Sequence, residues 1–525
     1  MPSSRRALTA MSLLLATACG TTVPLAQQQQ TSDVQGLGGP ASAAPLSTSG
    51  GTPDLGGGGS GGLTGSVGGT GGTGTVTAGG GTTTGAGSTT GGPVSSATGL
   101  PSTSGIPTTG RGWDAKHVYI GIPTADDFDS VAKGAGASGS GNGSTEGDVD
   151  AIVADINRHG GLLGRQVVPV YKDSRTTDVA YNTAATAQTV CTYFTQDRPV
   201  IAVINGAPQF DAATNFHACL EKAGVALLSF SNTDFSNADY TRLGPHLWTV
   251  GSLSTDVLVP GFVSSLKRQG FFGGWDSLNG KLGKAAARVG IMVPDSAQGH
   301  HVATLMTQAL KGIGLSVASS FFYNPNGLGT DSQSEVLQFS SAKVTHVLDL
   351  PPVAAEIWLF QGAAEQQHFR PRYGFTSFNL PLSVEANSGI APVAQQVGSM
   401  GIGWQPFNDT NAAHDPGATP GRKRCLDALA KGGQRFAGDA RRGALIGSQF
   451  CDAIYLLVEA AAAGHGLSAG AILAGMPLVG PTLLTSGTFA SDLRGTNRGV
   501  PAYYRDQHYD AGCSCFVYSG GNHHF

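Results

Sequence analysis

The sequence predicts an α/β protein of two doubly wound, parallel-sheet lobes, preceded by a long flexible Gly/Thr/Ser tether. Three observations predict it: apolar strands alternate with amphipathic helices after Trp113, the alternation restarts near residue 254, and the excess glycine lies before Trp113. The chain has 525 residues, 40% apolar and 13% charged, yet its 79 glycines far exceed what a globular chain carries. Residues 20–112 account for the excess. They contain three charged residues (Asp33, Asp54, Arg111) and no aromatic one, so they cannot form a core. About 413 residues remain, more than one hydrophobic core sustains, and two lobes follow.

Residues 1–19 read as an export signal: Arg5 and Arg6, an apolar run over 8–15, then Ala16, Thr17 and Ala18 before Cys19. The run is too short to span a bilayer. LLLATAC also resembles the bacterial lipobox, which makes Cys19 a lipidated mature N-terminus on the outer face of the cytoplasmic membrane. Plain secretory cleavage near Ala18 is the alternative, and the Arg pair leaves twin-arginine export open. As a flexible coil the 20–112 tether has a root-mean-square reach of roughly 50–60 Å.

The first run of elements has strands at 118–122, 167–171, 200–204 and 225–230. Helices fall between them, one carrying Val149, Ile152, Val153 and Ile156 on a single face and stopped by HGGLLG, the others over 179–194 and 212–223. The second run begins with a helix over 254–269. Strands follow at 289–293, 315–322, 346–350 and 372–375, alternating with helices at 301–312, 333–339 and 354–367. Continuous apolar strands in strict alternation with helices mean parallel sheets covered on both faces. A strand at 401–404, a helix carrying Cys425, a helix over 448–463 and strands near Tyr503 and Phe516 complete the chain.

Seven cysteines suit an exported protein, because lipidation of Cys19 leaves six. Fifteen pairings are open to six cysteines. Locality favours Cys191 with Cys219 and Cys425 with Cys451, leaving Cys513 with Cys515. Metal binding is the rival for the C-S-C pair, but no zinc-like His or Cys spacing surrounds it apart from His523-His524.

Residues 116–518 resemble the type I periplasmic binding proteins, specifically the leucine/isoleucine/valine-binding group. The resemblance rests on DINRHGGLLGRQVVPVYKDSRT (155–176), VGIMVPDSAQGHH (289–301), FCDAIYLLVEAAAAG (450–464) and LLTSGTFASDLRGTNRG, in that order. It implies three crossings between lobes, with 113–250 and 380–480 in the first lobe and 251–379 and 481–525 in the second. It also supports the Cys191/Cys219 pairing.

Ligands of open parallel sheets bind beyond the carboxyl ends of strands, where loops and helix N-termini present free N–H groups. In the first lobe this selects the loops holding Asp127, Ala207 with Gln209, and Ser231 with Thr233. The resemblance implies that the last two loops clasp a ligand carboxylate, although Ser231 and Thr233 serve equally as cap or turn residues. The second lobe offers Gln298 after the 289–293 strand, Asp349 with the 350–353 loop, and Thr376 with Ser377. Here the chain departs from amino-acid binders, which place a carboxylate where Thr376 and Ser377 stand. Asp349 or Asp127 can substitute for it, but Asp349 also fits a structural, hydrogen-bonded carboxylate. A buried ammonium without a partner is costly, so a free α-amino acid does not follow.

No G-x-S-x-G elbow follows a strand, no H-E-x-x-H, G-x-x-x-x-G-K-[ST] or C-x-x-C motif is present, and no enzyme is expected. His300-His301 and His523-His524 are adjacent pairs whose side chains diverge, so neither is a metal site, and no cofactor is expected. The net charge of −4 is spread, and no Lys/Arg-rich run of the kind that tracks phosphates is present, which argues against nucleic acid. The expected activity is capture of a small molecule (an amino acid, amide or related organic compound) by a monomer that docks on an ABC permease. A signalling receptor with the same clamshell is the alternative, and a structural surface protein is a third.

Overall fold

The computed structural model describes residues 105–130, 143–231, 233–243, 245–324, 329–350, 354–436, 441–493 and 498–525. The export signal, Cys19, the tether up to residue 104, Asn232 and Pro351 to Val353 lie outside the described residues. The last part of the expected tether already belongs to the first lobe: Gly110 and Trp113 exchange backbone hydrogen bonds, and Arg111 Nη1 donates to Thr195 O at 2.5 Å.

Strand β1 (His117–Thr124) starts the first sheet, and helix α1 (Thr145–Arg158) follows. Ser144 caps α1 by accepting from Gly147 N at 3.1 Å, and the apolar stripe Val149, Ile152, Val153 and Ile156 is buried on the sheet. Gly160, Gly161 and Gly164 take positive φ, and a side chain at Gly161 would strike the Arg165 carbonyl. That turn returns the chain to β2 (Gln166–Asp173). The single helix expected over 179–194 is two, α2 (Thr176–Tyr181) and α3 (Thr183–Thr192), because Asn182 leaves helical geometry. Strand β3 (Ala202–Asn205), helices α4 (Pro208–Ala212) and α5 (Thr214–Ala223), β4 (Ala226–Ser229), α6 (Asn237–Arg242) and β5 (Leu247–Thr249) complete this half. The sheet is entirely parallel, in the order β2-β1-β3-β4-β5.

The second lobe opens with α7 (Thr255–Arg268), a hairpin of β6 (Trp275–Asp276) and β7 (Lys281–Leu282), then β8 (Val289–Pro294), α8 (Ala297–Gly312) and β9 (Val317–Tyr323). It continues through α9 (Ser332–Ser341), β10 (His346–Asp349), α10 (Ala354–Gln366), β11 (Arg372–Thr376), α11 (Pro381–Ala386), α12 (Val393–Gln396) and β12 (Met400–Gly403). Next come α13 (Pro406–Asp409), α14 (Pro420–Lys431), α15 (Arg441–Ala463) and α16 (Ala469–Val479), and finally β13 (Tyr503–Asp510) and β14 (Cys515–His524). The second sheet runs β14-β13-β12-β11-β10-β8-β9, with β13 and β14 antiparallel. Its parallel part has the same winding as the first sheet: first strand second from the edge, later strands added on one side.

Two expected lobe boundaries move. Residues 481–493 and 498–500, expected in the second lobe, stay with the first, where Leu483, Leu493 and Val500 join its core. Residues 380–403 stay with the second lobe, because β12 pairs in parallel with β11 (Phe375 opposite Gly401) rather than returning to the first. The cause is local: β12 has four residues, and its Gly401 lies so close to the Phe375 backbone that a side chain could not fit. The strand itself is expected at 401–404, but nothing in the sequence says which of the two sheets it joins. Helices α14, α15 and α16 then cover the first sheet together with α1, their apolar residues joining one core with Ile120, Ile204 and Leu228. Residues Gly443–Ala463 have the length and apolarity of a membrane span, but 83% of the most apolar window is buried, as a core helix requires. Disulfides join Cys191 to Cys219 (α3 to α5), Cys425 to Cys451 (α14 to α15) and Cys513 to Cys515.

Three crossings join the lobes, after β5, after β12 and before β13. They are bonded to one another. Gly251 O accepts from Trp404 Nε1 at 3.0 Å and from Gln405 Nε2 at 2.6 Å, while Thr249 N donates to Arg498 O at 3.0 Å and Val500 N to Thr249 O at 2.9 Å. Strands β5 and β12 both leave their sheets by their carboxyl ends, and those ends meet at Gly251. Since β1 to β5 and β8 to β12 are parallel within their sheets, the carboxyl ends of those strands lie on the hinge side.

Candidate functional site

Each sheet reverses its winding between its first and third strands, at β1/β3 and at β8/β10. The loops there depart to opposite faces and leave a crevice between them. On the first lobe the crevice is bordered by the loops after β1, β3 and β4. Asp127 Oδ1 accepts from Thr176 N at 2.8 Å and Thr176 Oγ1 at 2.5 Å, tying the β1 loop to the start of α2. Asn205, the last residue of β3, braces the next loop: its Oδ1 accepts from Ala207 N at 3.1 Å and its Nδ2 donates to Ala207 O at 2.8 Å. Gln209 is buried, and its Nε2 has no partner.

Sequence reasoning missed the centre of this lobe's tip, Asp211. It is buried on α4. Its Oδ2 accepts from the hydroxyls of Ser229 and Ser231 and, at 3.5 Å, Thr233, and its Oδ1 accepts from Asn205 Nδ2 at 2.8 Å. Ser231 and Thr233 also share a hydrogen bond of 2.6 Å. The hydroxyls expected to clasp a ligand carboxylate thus already surround one from the protein. Burial pushes the Asp211 carboxyl up. Beneath it, His217 Nε2 meets the Asp211 carbonyl at 2.8 Å, and burial pushes His217 down and His246 down to about 4. The available signal was three hydroxyl residues in SFSNT with an acid on the adjacent loop, a set too common to single out.

On the second lobe Gln298 lies half-buried in the first turn of α8, and Asp349 ends β10 in full burial. Asp349 Oδ2 accepts from Asn379 Nδ2 at 3.0 Å, while Oδ1 has no partner. Glu335 is fully buried with neither oxygen bonded, and Glu356 uses one oxygen to accept from Gly329 N at 3.0 Å. Burial raises all three, Glu356 to about 7, and the charge of Glu356 adds to the rise of Glu335 and Asp349 while that of Asp331 adds to the rise of Glu356.

Thr376 and Ser377 do different work from that expected. Thr376 Oγ1 accepts from Phe378 N and donates to Asn379 Oδ1, both at 3.2 Å, closing a tight turn. Ser377 Oγ donates to Asp409 at 2.7 Å and accepts from Trp404 N at 2.8 Å, so it anchors the second crossing. Both side chains are committed within the lobe because the turn after β11 lies against the start of the second crossing, which follows β12.

Two α/β lobes with matched winding, a three-stranded crossing and polar strand tips on the hinge side define a clamshell binding protein. A family model described as periplasmic binding protein matches residues 130–504, and the chain belongs to that family. No curated protein matches the sequence. Among solved structures, the chain is similar to a solute-binding protein of an ABC transporter from R. palustris in complex with 4-hydroxybenzoate: 14% identity, TM-score 0.56, covering 78% of this chain and 96% of that one. A fatty acid ABC transporter substrate-binding protein from Thermomonospora curvata gives 16%, 0.55, 80% and 95%, and an ABC transporter substrate-binding protein from Desulfitobacterium hafniense in complex with Leu gives 14%, 0.51, 77% and 100%. The likeness is one of fold.

Proposed function

We propose that this chain is a solute-binding protein, held at the outer face of the cytoplasmic membrane by a lipid on Cys19, that closes on a small polar molecule and delivers it to an ABC permease. It acts by binding and not by catalysis, as a monomer. The ligand would bridge Asp127, Ala207, Gln209, Ser231 and Thr233 on one lobe and Gln298 and Asp349 on the other. The observation that carries the ligand class is Asp211. With Ser229, Ser231 and Thr233 turned toward that carboxylate, the tip offers hydroxyl lone pairs outward, and these accept hydrogen bonds rather than give them. Asp349, with one bare buried oxygen, adds an acceptor on the opposite lobe. Both tips suit a ligand rich in N–H donors, such as an amine or amide. Leucine, 4-hydroxybenzoate and fatty acids, named for the similar proteins, all carry a carboxyl group.

The test is a thermal-shift screen of amines, amides, amino acids and simple carboxylates. A ligand at 100 times its dissociation constant should stabilise the fold by about 2.7 kcal/mol. Response to carboxylates alone overturns the ligand class, and silence from all four classes overturns the binding role. Loss of uptake on deletion supports transport; altered transcription with uptake intact identifies a sensor instead.

A further inference from the structure

The turn between β13 and β14 carries Cys513 and Cys515, and the fold brings to it a histidine from about a hundred residues upstream. His414 ends a short 3-10 turn (Ala412–His414) on the second crossing, capped by Asn411, whose Oδ1 accepts from His414 N at 3.2 Å. Its Nδ1 lies 3.4 Å from Cys515 Sγ, and the three ligand atoms of His414, Cys513 and Cys515 all fall within 4.8 Å of one another. His414 and Cys513 are exposed and Cys515 is buried, so the cluster is open to solvent on one side. We propose that these residues form a redox-gated site for a borderline-soft cation of the zinc type, closed by the Cys513–Cys515 disulfide and opened by its reduction.

The donor set selects the ion. Two thiolates and a neutral imidazole suit zinc and its soft neighbours, whereas calcium and magnesium demand oxygen. Two thiolates also neutralise a divalent cation, and three protein ligands leave the fourth tetrahedral position for water. With metal–sulfur bonds of about 2.3 Å and metal–nitrogen bonds of about 2.0–2.1 Å, tetrahedral ligands stand about 3.5–3.8 Å apart. The imidazole Nδ1, at 3.4 Å from Cys515 Sγ, is about 0.1 Å short of that range. The two sulfurs reach it once their bond is broken. In that step a dithiol reductant gives two electrons and two protons to the disulfide and becomes a disulfide itself; the cation then displaces both thiol protons to solvent, and the Nδ1 proton that His414 gives to Asn411 Oδ1 (3.0 Å) passes by way of solvent to Nε2, freeing Nδ1 for the metal. The consequence is mechanical. The ion would clip the second crossing to the terminal hairpin beside the bond between Asp409 and Tyr518.

The experiment uses the full chain, C513S/C515S and H414A, each treated with dithiothreitol, freed of it without oxygen, counted for thiols and titrated with Co2+ followed by Zn2+. Expected are two more thiols in the native chain than in C513S/C515S and one equivalent of Co2+ with sulfur-to-metal charge-transfer absorption. Zn2+ should displace it, the unreduced chain should lack it, and H414A should bind at least tenfold more weakly. Equal absorption in C513S/C515S, no absorption in any reduced sample, or H414A binding as tightly as the native chain overturns the site. Absence of the two extra thiols overturns the gate.

Discussion

Asp409 holds the second crossing to the second lobe, and its replacement gives a quantitative test of how the hinge is built. Its Oδ2 accepts from Ser377 Oγ at 2.7 Å, Tyr518 OH at 2.5 Å and Gln405 N at 2.9 Å, while buried Oδ1 has no partner. Asp409→Ala leaves two buried donors and the partly buried Tyr518 hydroxyl without their acceptor, a loss of about 3–5 kcal/mol. Asp409→Asn keeps the shape and part of the bonding and separates charge from contact. Burial outweighs the hydrogen bonds and raises the carboxyl from 3.8 to about 7. Between those values the folded state holds a proton that the unfolded state has released, so this group's contribution to stability falls as pH rises from about 4 to 7. From pH 5 to pH 8 the native chain therefore loses up to about 3 kcal/mol at this site, which Asn, having nothing to titrate, does not lose. Urea denaturation of all three proteins at pH 5 and pH 8 measures both quantities. A pH-independent difference between Asp409→Asn and the native chain, or an Asp409→Ala cost below about 1 kcal/mol, would refute the reasoning.

Other expectations follow from the same physics. Asp148 is buried with neither carboxyl oxygen bonded and is raised to about 7, so Asp148→Asn should stabilise the chain at pH 8 and change little at pH 4, read from the same urea curves. The buried guanidinium of Arg372 donates to Phe271 O at 2.5 Å, Gly398 O at 2.7 Å and Gly270 O at 3.1 Å, and Arg372→Ala should cost about 3–5 kcal/mol, with a clear fall in melting temperature. The Cys425–Cys451 bridge spans 26 residues, and C425A/C451A should lose about 3–4 kcal/mol by calorimetry on chain-entropy grounds. At Gly251 a methyl group would meet Gln449 Nε2 at 2.9 Å and Phe230 O at 3.0 Å, so Gly251→Ala should shift the lobe angle seen by small-angle scattering.

The βα alternation and both apolar strand sets were legible because buried parallel strands are continuous apolar runs and their helices carry one-sided stripes, as in α1. Elements that escaped reading are short or compositionally plain. Strand β5 has three residues, and α16 is apolar almost throughout, so neither shows periodicity. What was legible of the candidate site is the strand-end loops: parallel topology alone selects those that hold Asp127, Ser231 and Asp349. Roles within those loops were not. Whether Ser377 faces a ligand or a hinge depends on Asp409, 32 residues away. Whether Ser231 is a donor or an acceptor depends on Asp211, 20 residues away. His414 reaches Cys515 across 101 residues, so its place at the C-S-C turn was beyond any local pattern.

Under the proposed function, Asp211 makes ligand preference depend on its own proton. While it is ionised, its three hydroxyl neighbours point inward, and an anion about 4 Å from it meets repulsion of about 4 kcal/mol at an effective dielectric constant near 20. That is roughly a thousandfold in affinity. An ammonium or amide N–H at the same place gains from the same field. Protonation reverses the logic, because a neutral Asp211 releases its neighbours' hydroxyl protons to turn outward and give hydrogen bonds. Burial raises this carboxyl toward conditions in which that happens. The first-lobe tip would accordingly favour N–H-rich ligands while Asp211 is ionised and tolerate carboxylates once it is protonated, and Asp211→Asn would remove the difference.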